Sequence, residues 1–198
     1  MYEHIKFKNA INMRKANYGK FPSTKLTGML VQGWDSIISM LKEKMDARKV
    51  LAVDLYTGVY EEEVLDAFSK EFSGRVMNVR DLMKPEKEIQ TLTERFMTED
   101  VLFGYVTNLK LEDYLDADKV AVARKQISEA KETIVIIGTG AAVVAPQDAM
   151  VVYADMARWE IQQRFRRHEV KALGIDNRND AVSLQYKRGY FNDWRVCD

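Results

Sequence analysis

The sequence is poor in the residues that build disulfide frameworks and zinc sites. Its 198 residues include one cysteine, Cys197, and two histidines, His4 and His168. A single cysteine excludes an internal disulfide framework. Two histidines so far apart in the sequence do not supply a catalytic zinc site built from several histidines. The sequence also lacks a GxSxG turn, so it offers no serine nucleophile of the hydrolase kind.

Long apolar runs and an excess of one charge are absent as well. No run approaches the roughly 20 apolar residues that span a bilayer, and the first residues lack the apolar core of a signal peptide. The chain carries 30 basic and 30 acidic residues, and no tract is basic enough to indicate nucleic-acid binding. We therefore predict no membrane span, no nucleic-acid partner and a cytoplasmic location.

The composition is that of an ordinary globular protein, with 46% hydrophobic and 30% charged residues. The length suits one domain plus a terminal arm. Residues 1–27 mix lysine, asparagine and aromatic residues without a period, and Pro22 disfavours a helix in the residue before it. We predict an arm over residues 1–27 and a single α/β domain over residues 28–198.

The most informative stretch is Lys49–Ala67, where a short apolar run is followed by a glycine turn and a helical pattern. Val50–Val53 predicts a strand, Gly58 marks the turn, and Glu61 opens a helix. This order is typical of the first β-turn-α unit of an α/β domain, in which phosphates bind at the helix N-terminus.

The rest of the chain alternates helical and apolar stretches. Two apolar runs bounded by turn residues predict further buried strands, and the alternation predicts a mainly parallel sheet flanked by helices in three layers. Residues 80–100 are polar with only short periodic pieces, and Val101–Leu109 predicts either a strand or a buried loop. The remaining predicted elements are helices over Trp34–Met45, Ala117–Lys131 and from Asp155, and strands over Arg75–Val79, Thr133–Ile137 and Ala149–Tyr153.

The first turn does not have the composition of a phosphate-binding loop. When such a loop is aligned from Asp54, its lysine position falls on Glu61, followed by Glu62 and Glu63. A carboxylate about 4 Å from a phosphate oxygen costs on the order of 1 to 4 kcal/mol. The acidic turn has three interpretations: stabilisation by the helix dipole, a divalent metal or cationic ligand held by Asp54 and a glutamate, or contact with a partner.

Two other features are candidate ligand sites. The turn Gly138-Thr139-Gly140 follows a predicted strand, and its glycines either let a ligand approach the backbone or form a tight turn. The helix after Asp155 is rich in arginine, which suits phosphate and carboxylate. Its alternative interpretation is a solvated face whose arginines pair with the acidic middle segment of the chain. The arginines are Arg158, Arg164, Arg166 and Arg167.

Several strings resemble a known family. YADMARWEIQ with its following arginines (Tyr153–Arg167), and YKRGYF with WR (Tyr186–Arg195), resemble the N-terminal domain that precedes the cupin domain in bacterial class I mannose-6-phosphate isomerase-like proteins. The resemblance covers about residues 17–198. That domain is similar in layout to uridine-kinase-like P-loop phosphotransferases, whose lid arginines correspond to those of the helix after Asp155.

The resemblance implies a P-loop-kinase-like fold with a degenerate phosphate loop. Because Glu61 and Glu62 replace the lysine and hydroxyl residues, kinase activity does not carry over. Isomerase activity belongs to the cupin part, and we expect this chain to be a separate domain or a stand-alone relative that accompanies the isomerase reaction.

Three functions remain open at this point, and the oligomeric state is not predicted. The first is non-catalytic binding of a phosphorylated sugar or nucleotide through Gly138–Gly140 and the arginine helix. The second is an active phosphotransferase in which Asp54 or Asp155 holds Mg²⁺. The third is an interaction domain whose aromatic residues contact a partner, such as a cupin isomerase domain, or a second copy. Those aromatic residues are Trp159, Tyr186, Tyr190, Phe191 and Trp194.

Overall fold

A computed structural model describes residues 19, 22–25, 27–45 and 49–198. The contacts divide the chain after Val31, and the unit Gln32–Asp198 holds the sheet and its flanking helices. The predicted arm over residues 1–27 lies mostly outside the described residues. No helix of the described part is long and apolar enough to cross a membrane.

The unit alternates strands and helices along the chain. The strands are β1 (Val50–Leu55), β2 (Arg75–Asn78), β3 (Ile134–Gly138) and β4 (Met150–Ala154). The helices are α1 (Trp34–Met45), α2 (Glu61–Glu71), α3 (Glu86–Met97), α4 (Ala117–Glu129), α5 (Ala141–Val144), α6 (Arg158–Arg166), α7 (Val182–Arg188) and α8 (Trp194–Cys197). A π-helical turn, Gly189–Asp193, joins α7 to α8.

The four strands form one parallel sheet in the order β2-β3-β1-β4. Side chains alternate between its two faces. Leu51 and Val53 of β1 pack with α1 and α2 on one face, while Val50 and Ala52 pack with α4 and α5 on the other. The predicted three-layer α/β fold with a mainly parallel sheet is confirmed.

Most predicted elements agree with the structure to within a few residues, and one helix was missed. Residues 80–100, predicted to hold only short pieces, contain the 12-residue helix α3. Ile89, Thr93 and Phe96 form its buried stripe, but the middle residue is a polar threonine, so the apolar period is not visible in the sequence. The helix predicted from Asp155 begins three residues later, at Arg158.

The prediction for Val101–Leu109 is wrong on both alternatives. The segment forms no strand, and five of its large apolar side chains are exposed: Val101, Leu102, Phe103, Tyr105 and Val106. The backbone N–H of Thr107 donates to the Phe191 carbonyl at 2.8 Å, and that of Tyr105 donates to the Phe96 carbonyl at 2.8 Å. These contacts with other parts of the chain hold the segment on the surface. The apolar residues of the segment alone do not predict them.

A buried ion pair anchors the C-terminal helices to the body of the domain. Arg188 Nε lies 3.4 Å from Asp193 Oδ1, and both side chains are almost fully buried. Arg188 Nη1 also donates to Thr93 Oγ1 of α3 at 2.9 Å, and Asp193 Oδ2 accepts from the Leu173 N–H at 3.2 Å. Burial raises the pKa of the Asp193 carboxyl, and the Arg188 guanidinium opposes that rise. Removing one partner of such a pair leaves an uncompensated buried charge.

Candidate functional site

The carboxyl ends of β1, β3 and β4 meet at one edge of the sheet. The turn after β1 (Tyr56–Tyr60), the turn after β3 (Gly138–Gly140) and the segment leading into α6 follow these strands. Ligands of open parallel sheets bind outside the carboxyl ends of the strands. This edge is therefore the candidate site, and the sequence-predicted residues lie along it.

Asp54 on β1 is bonded to the loop that follows β3. Its Oδ1 accepts from the Gly140 N–H at 2.9 Å, and its Oδ2 accepts from the Ala142 N–H at 2.9 Å. Both oxygens of the carboxylate are therefore engaged by backbone at the start of α5. An anionic ligand at this turn would need the N–H groups of Gly140 and Ala142. Both already donate to the carboxylate of Asp54.

The glycines of this turn also meet a packing requirement. Gly138 and Gly140 have positive φ, +133° and +92°, which disfavours other residues. A Cβ on Gly138 would lie 2.9 Å from Val79 Cβ, and one on Gly140 would lie 3.0 Å from Leu111 Cδ2. These contacts favour the tight-turn interpretation of Gly138-Thr139-Gly140.

The three glutamates at the start of α2 face three different partners. Glu61 Oε2 lies 3.3 Å from Arg80 Nε, and Glu62 Oε1 lies 3.1 Å from Lys171 Nζ. Glu63 Oε1 accepts from the indole N–H of Trp34 at 2.8 Å. The backbone N–H of Glu62 itself and then Lys171 lower the pKa of the Glu62 carboxyl. This is the pattern expected of acidic residues at a helix N-terminus.

Among the residues that the structure describes, no group of three or more histidine, cysteine, aspartate or glutamate side chains is arranged to hold a metal ion.

Arg164 is the most buried of the four predicted arginines, with 12% of its side chain exposed. Its Nη1 donates to the Gly58 carbonyl at 2.7 Å, and its guanidinium lies 3.6 Å from the centre of the Tyr60 ring. Its Nε also pairs with Glu160 at 3.2 Å. Arg164 therefore holds the turn after β1 in place.

The other three arginines do not converge with Arg164. Arg158 pairs with Asp198, and Arg167 pairs with Glu160 at 3.0 Å and with Glu169 at 2.9 Å. Arg166 is exposed at the end of α6. Arg158, Arg164 and Arg167 thus pair with acidic residues, but the predicted partners in the middle segment are wrong, because Glu160, Glu169 and Asp198 lie in the last third of the chain.

The sequence model of one protein family, described as Domain of unknown function (DUF8485), matches residues 33–198. The chain belongs to this family. No curated protein and no solved structure matches the chain. The matched range begins one residue after the start of the unit Gln32–Asp198, so the DUF8485 match and the structural unit coincide.

A small pocket of the DUF8485 unit lies beside the turn after β1. Its volume is about 40 Å³, which is room for a few water molecules. One wall is the turn and the start of α2, and the other is the segment Glu169–Gly174. Arg80 and Lys171 are the two cations in its lining, and each is paired with a glutamate of α2.

Sequence reasoning did not single out Arg80 or the segment Glu169–Gly174 as part of this site. Arg80 is 19 residues from Glu61, and Lys171 is 109 residues from Glu62. No local pattern marks either pair. Arg80 follows β2 and Lys171 lies in the segment before α7, so only tertiary packing brings each of them to its glutamate.

A second pocket at this edge of the DUF8485 unit lies beyond the carboxyl end of β4. Tyr56, Tyr153, Asp155 and Asp198 are among its lining residues. The Tyr56 hydroxyl donates to Asp198 Oδ1 at 2.9 Å. Burial, together with this hydrogen bond, raises the pKa of the Tyr56 hydroxyl. Tyr56 therefore stays protonated at neutral pH and acts as a hydrogen-bond donor.

Replacing Asp54 tests the bonds at the centre of the site. In Asp54→Asn, one acceptor oxygen becomes an NH₂ group that faces a backbone N–H. We expect the free energy of unfolding to fall by about 1 to 3 kcal/mol, the usual cost of losing a charged hydrogen bond and leaving a donor unpaired. Urea unfolding with an unchanged m-value measures this loss.

Asp148→Asn is the matched control, because Asp148 is an exposed aspartate just before β4. Its effect should stay within about 0.5 kcal/mol. Equal stabilities of the Asp54 and Asp148 variants would contradict the role assigned to Asp54.

Proposed function

We propose that the chain is a non-catalytic accessory domain with a P-loop-kinase-like layout. It works beside a sugar-phosphate isomerase of the mannose-6-phosphate isomerase class and provides that enzyme with a binding surface. The resemblance of Tyr153–Arg167 and Tyr186–Arg195 to the domain that precedes the cupin in such proteins supports the choice of partner. The geometry of the chain supports the absence of catalysis and the presence of a binding surface.

The argument against phosphotransfer rests on how the charges are used. Phosphotransfer requires preorganised cations and amides aimed at the transferred group. Here Glu61 stands at the lysine position and pairs with Arg80, and Asp54 accepts the amides of the turn after β3. A phosphoryl group at this edge would have to displace internal partners before it met Arg80, Lys171 or the amides of Gly140 and Ala142.

The observation that carries the proposal is the exposed apolar segment Val101–Val106. Five large apolar side chains in six residues are between 56% and 69% exposed. Contiguous exposed apolar surface of this kind marks interaction sites. Loops held by a rigid scaffold are also the usual carriers of binding residues.

Hydrogen bonds give this segment a defined shape. Asp100 Oδ1 accepts from the N–H groups of Leu102 and Phe103, both at 2.7 Å, and these bonds lower the pKa of the Asp100 carboxyl. The Thr98 hydroxyl donates to the Phe103 carbonyl at 2.6 Å. Lys187 Nζ, nearly buried, donates to the carbonyls of Thr98 and Asp100. A preformed loop loses less conformational entropy on binding.

Aromatic side chains extend this surface toward the C-terminal helices. A Cβ on Gly104 would lie 3.1 Å from the Phe191 ring, and Phe191 packs edge-on against Tyr190 with ring centres 5.0 Å apart. Tyr190 in turn stacks on Tyr186, and both are partly exposed. Tyrosine is enriched among residues that dominate binding energy. Trp194, in contrast, is only 1% exposed and belongs to the core.

Binding to a purified cupin domain of a mannose-6-phosphate isomerase-like protein tests the proposal. The wild-type chain should bind saturably in calorimetry. Phe103→Asp should weaken binding by about tenfold or more, because it places a charge at the centre of the apolar segment.

Val151→Asp is the matched control, since Val151 is 54% exposed on β4 but lies outside the segment. It should bind as the wild type does. Failure of the wild type to bind, or equal weakening by both substitutions, would overturn the proposal.

A second candidate function is phosphate binding in the pocket beside the turn after β1. Arg80 and Lys171 favour it, because they flank this pocket from two sides. The pocket volume of about 40 Å³ requires that Glu61 or Glu62 move aside for a phosphate. The ligand's phosphate would then take over the pairing of Lys171.

A thermal-shift screen with ATP, mannose 6-phosphate and inorganic phosphate tests this second candidate. A ligand at about 100 times its Kd adds roughly 2.7 kcal/mol of stability, enough to raise the Tm by several degrees. The shift should shrink in Lys171→Gln and persist in Lys125→Gln, an exposed lysine of α4. No shift with any of the three, or equal shifts in both variants, would exclude the site.

A further inference from the structure

The outward edge of β2 offers unpaired backbone groups. β2 is an edge strand, and in the part of the chain that the structure describes it pairs only with β3. The Arg75 N–H donates to the Thr133 carbonyl at 3.0 Å, toward the β3 side. Because backbone groups alternate along a strand, the N–H and C=O of Val76 point outward. An edge of this kind is a template for a further strand.

A groove of about 470 Å³ runs along this edge between β2 and α4. Val122 of α4 is 58% exposed and stands midway along it. The apolar lining consists of Val76, Met77, Leu82, Val122 and Ala123. An occupant therefore meets unpaired backbone on one side and apolar side chains on the other.

The charged residues of the groove are Arg75, Asp81, Asp118 and Lys119. Lys119 lies beside Asp118, but its Nζ donates to the Met83 carbonyl at 3.1 Å. The other three are separated by sign along the groove. Arg75, at the amino end of β2, donates to Gln126 near the end of α4 at 2.9 Å. At the opposite end, the Asp116 N–H donates to the Leu82 carbonyl at 2.9 Å, which joins the start of α4 to the carboxyl end of β2. α4 is thus antiparallel to β2. Asp81 and Asp118 lie at that second end.

This arrangement is complementary to itself under a twofold rotation. Antiparallel pairing of two β2 strands about Val76 lets the two Val76 residues exchange both backbone hydrogen bonds. Arg75 of one copy then faces the end that carries Asp81 and Asp118 in the other. Residue 122 lies midway between residues 118 and 126, so the same rotation brings the two Val122 side chains together.

The other edge strand lacks this property. β4 is preceded by Asp148 and followed by Asp155, and both are exposed. Antiparallel pairing of two β4 strands would place carboxylates opposite each other, which is destabilising. Charge complementarity therefore selects the β2 edge as the self-pairing one.

We propose that the β2 edge and the adjoining face of α4 form the interface of a homodimer. Its twofold axis passes close to Val76 and Val122, and the two four-stranded sheets join into one continuous sheet. This interface is separate from the segment Val101–Val106 and does not depend on the accessory function proposed above.

Sedimentation velocity across a wide range of protein concentration tests the dimer. The wild type should sediment as a dimer, and Arg75→Glu should raise the dimer dissociation constant by about tenfold or more, because it opposes like charges. Asp118→Arg should act similarly. The double variant Arg75→Glu/Asp118→Arg should recover most of the affinity, since it restores opposite charges across the axis.

Lys87→Glu is the matched control, a charge reversal at an exposed residue of α3 that does not line the groove. It should leave the dissociation constant unchanged. All of these side chains are exposed, so circular dichroism should show the same folded state for each variant. A wild type that stays monomeric, or single variants that match Lys87→Glu, would overturn the proposal.

Cross-linking gives an independent readout. Val122→Cys should cross-link into dimers with a short bis-maleimide, whereas Val151→Cys on β4 should not. Both variants retain Cys197, so that residue contributes equally to each. Equal yields from the two variants would count against an axis near Val122.

Discussion

The pair of hydrogen bonds from the backbone of the loop after β3 to Asp54 is the interaction on which the candidate site depends. β1 is a central strand, and Asp54 is its next-to-last residue. Its carboxylate fixes Gly140 and Ala142, and so sets the direction in which α5 leaves the sheet. Open parallel sheets commonly bind an anionic ligand at this edge. Here the carboxylate of Asp54 occupies the backbone donors instead.

The same internal pairing recurs around this edge. Glu61 pairs with Arg80, Glu62 pairs with Lys171, and Arg164 bonds to the carbonyl of Gly58. Ion pairs near a protein surface contribute little to stability one by one. Their effect here is on chemistry, because charges committed to each other are less available to a substrate. This arrangement is compatible with the binding role proposed above.

Sequence patterns were sufficient where burial follows a simple period. The apolar run Val50–Val53 and the alternation of strands and helices gave the parallel sheet, and the glycine turn gave the position of the candidate site. α3 was missed because one of its three buried side chains, Thr93, is polar and leaves too short an apolar period.

Patterns were not sufficient where distant residues decide the structure. Apolar residues at positions 101–106 indicated burial, but Lys187 and the Phe191 carbonyl hold that segment at the surface. The partners of Glu61 and Glu62 were also beyond prediction, since no spacing rule relates Glu62 to Lys171. The arginines of α6 suggested a phosphate site because arginine suits any anion, and their carboxylate partners became identifiable only in three dimensions.

The measurement that tests the account most directly is hydrogen exchange at the amides of Gly140 and Ala142, followed by NMR on the wild-type chain. If Asp54 holds both amides, they should exchange slowly, as the paired amides of β3 do. Exchange as fast as that of exposed loop amides would contradict the account, because the turn would then be open to an external anion.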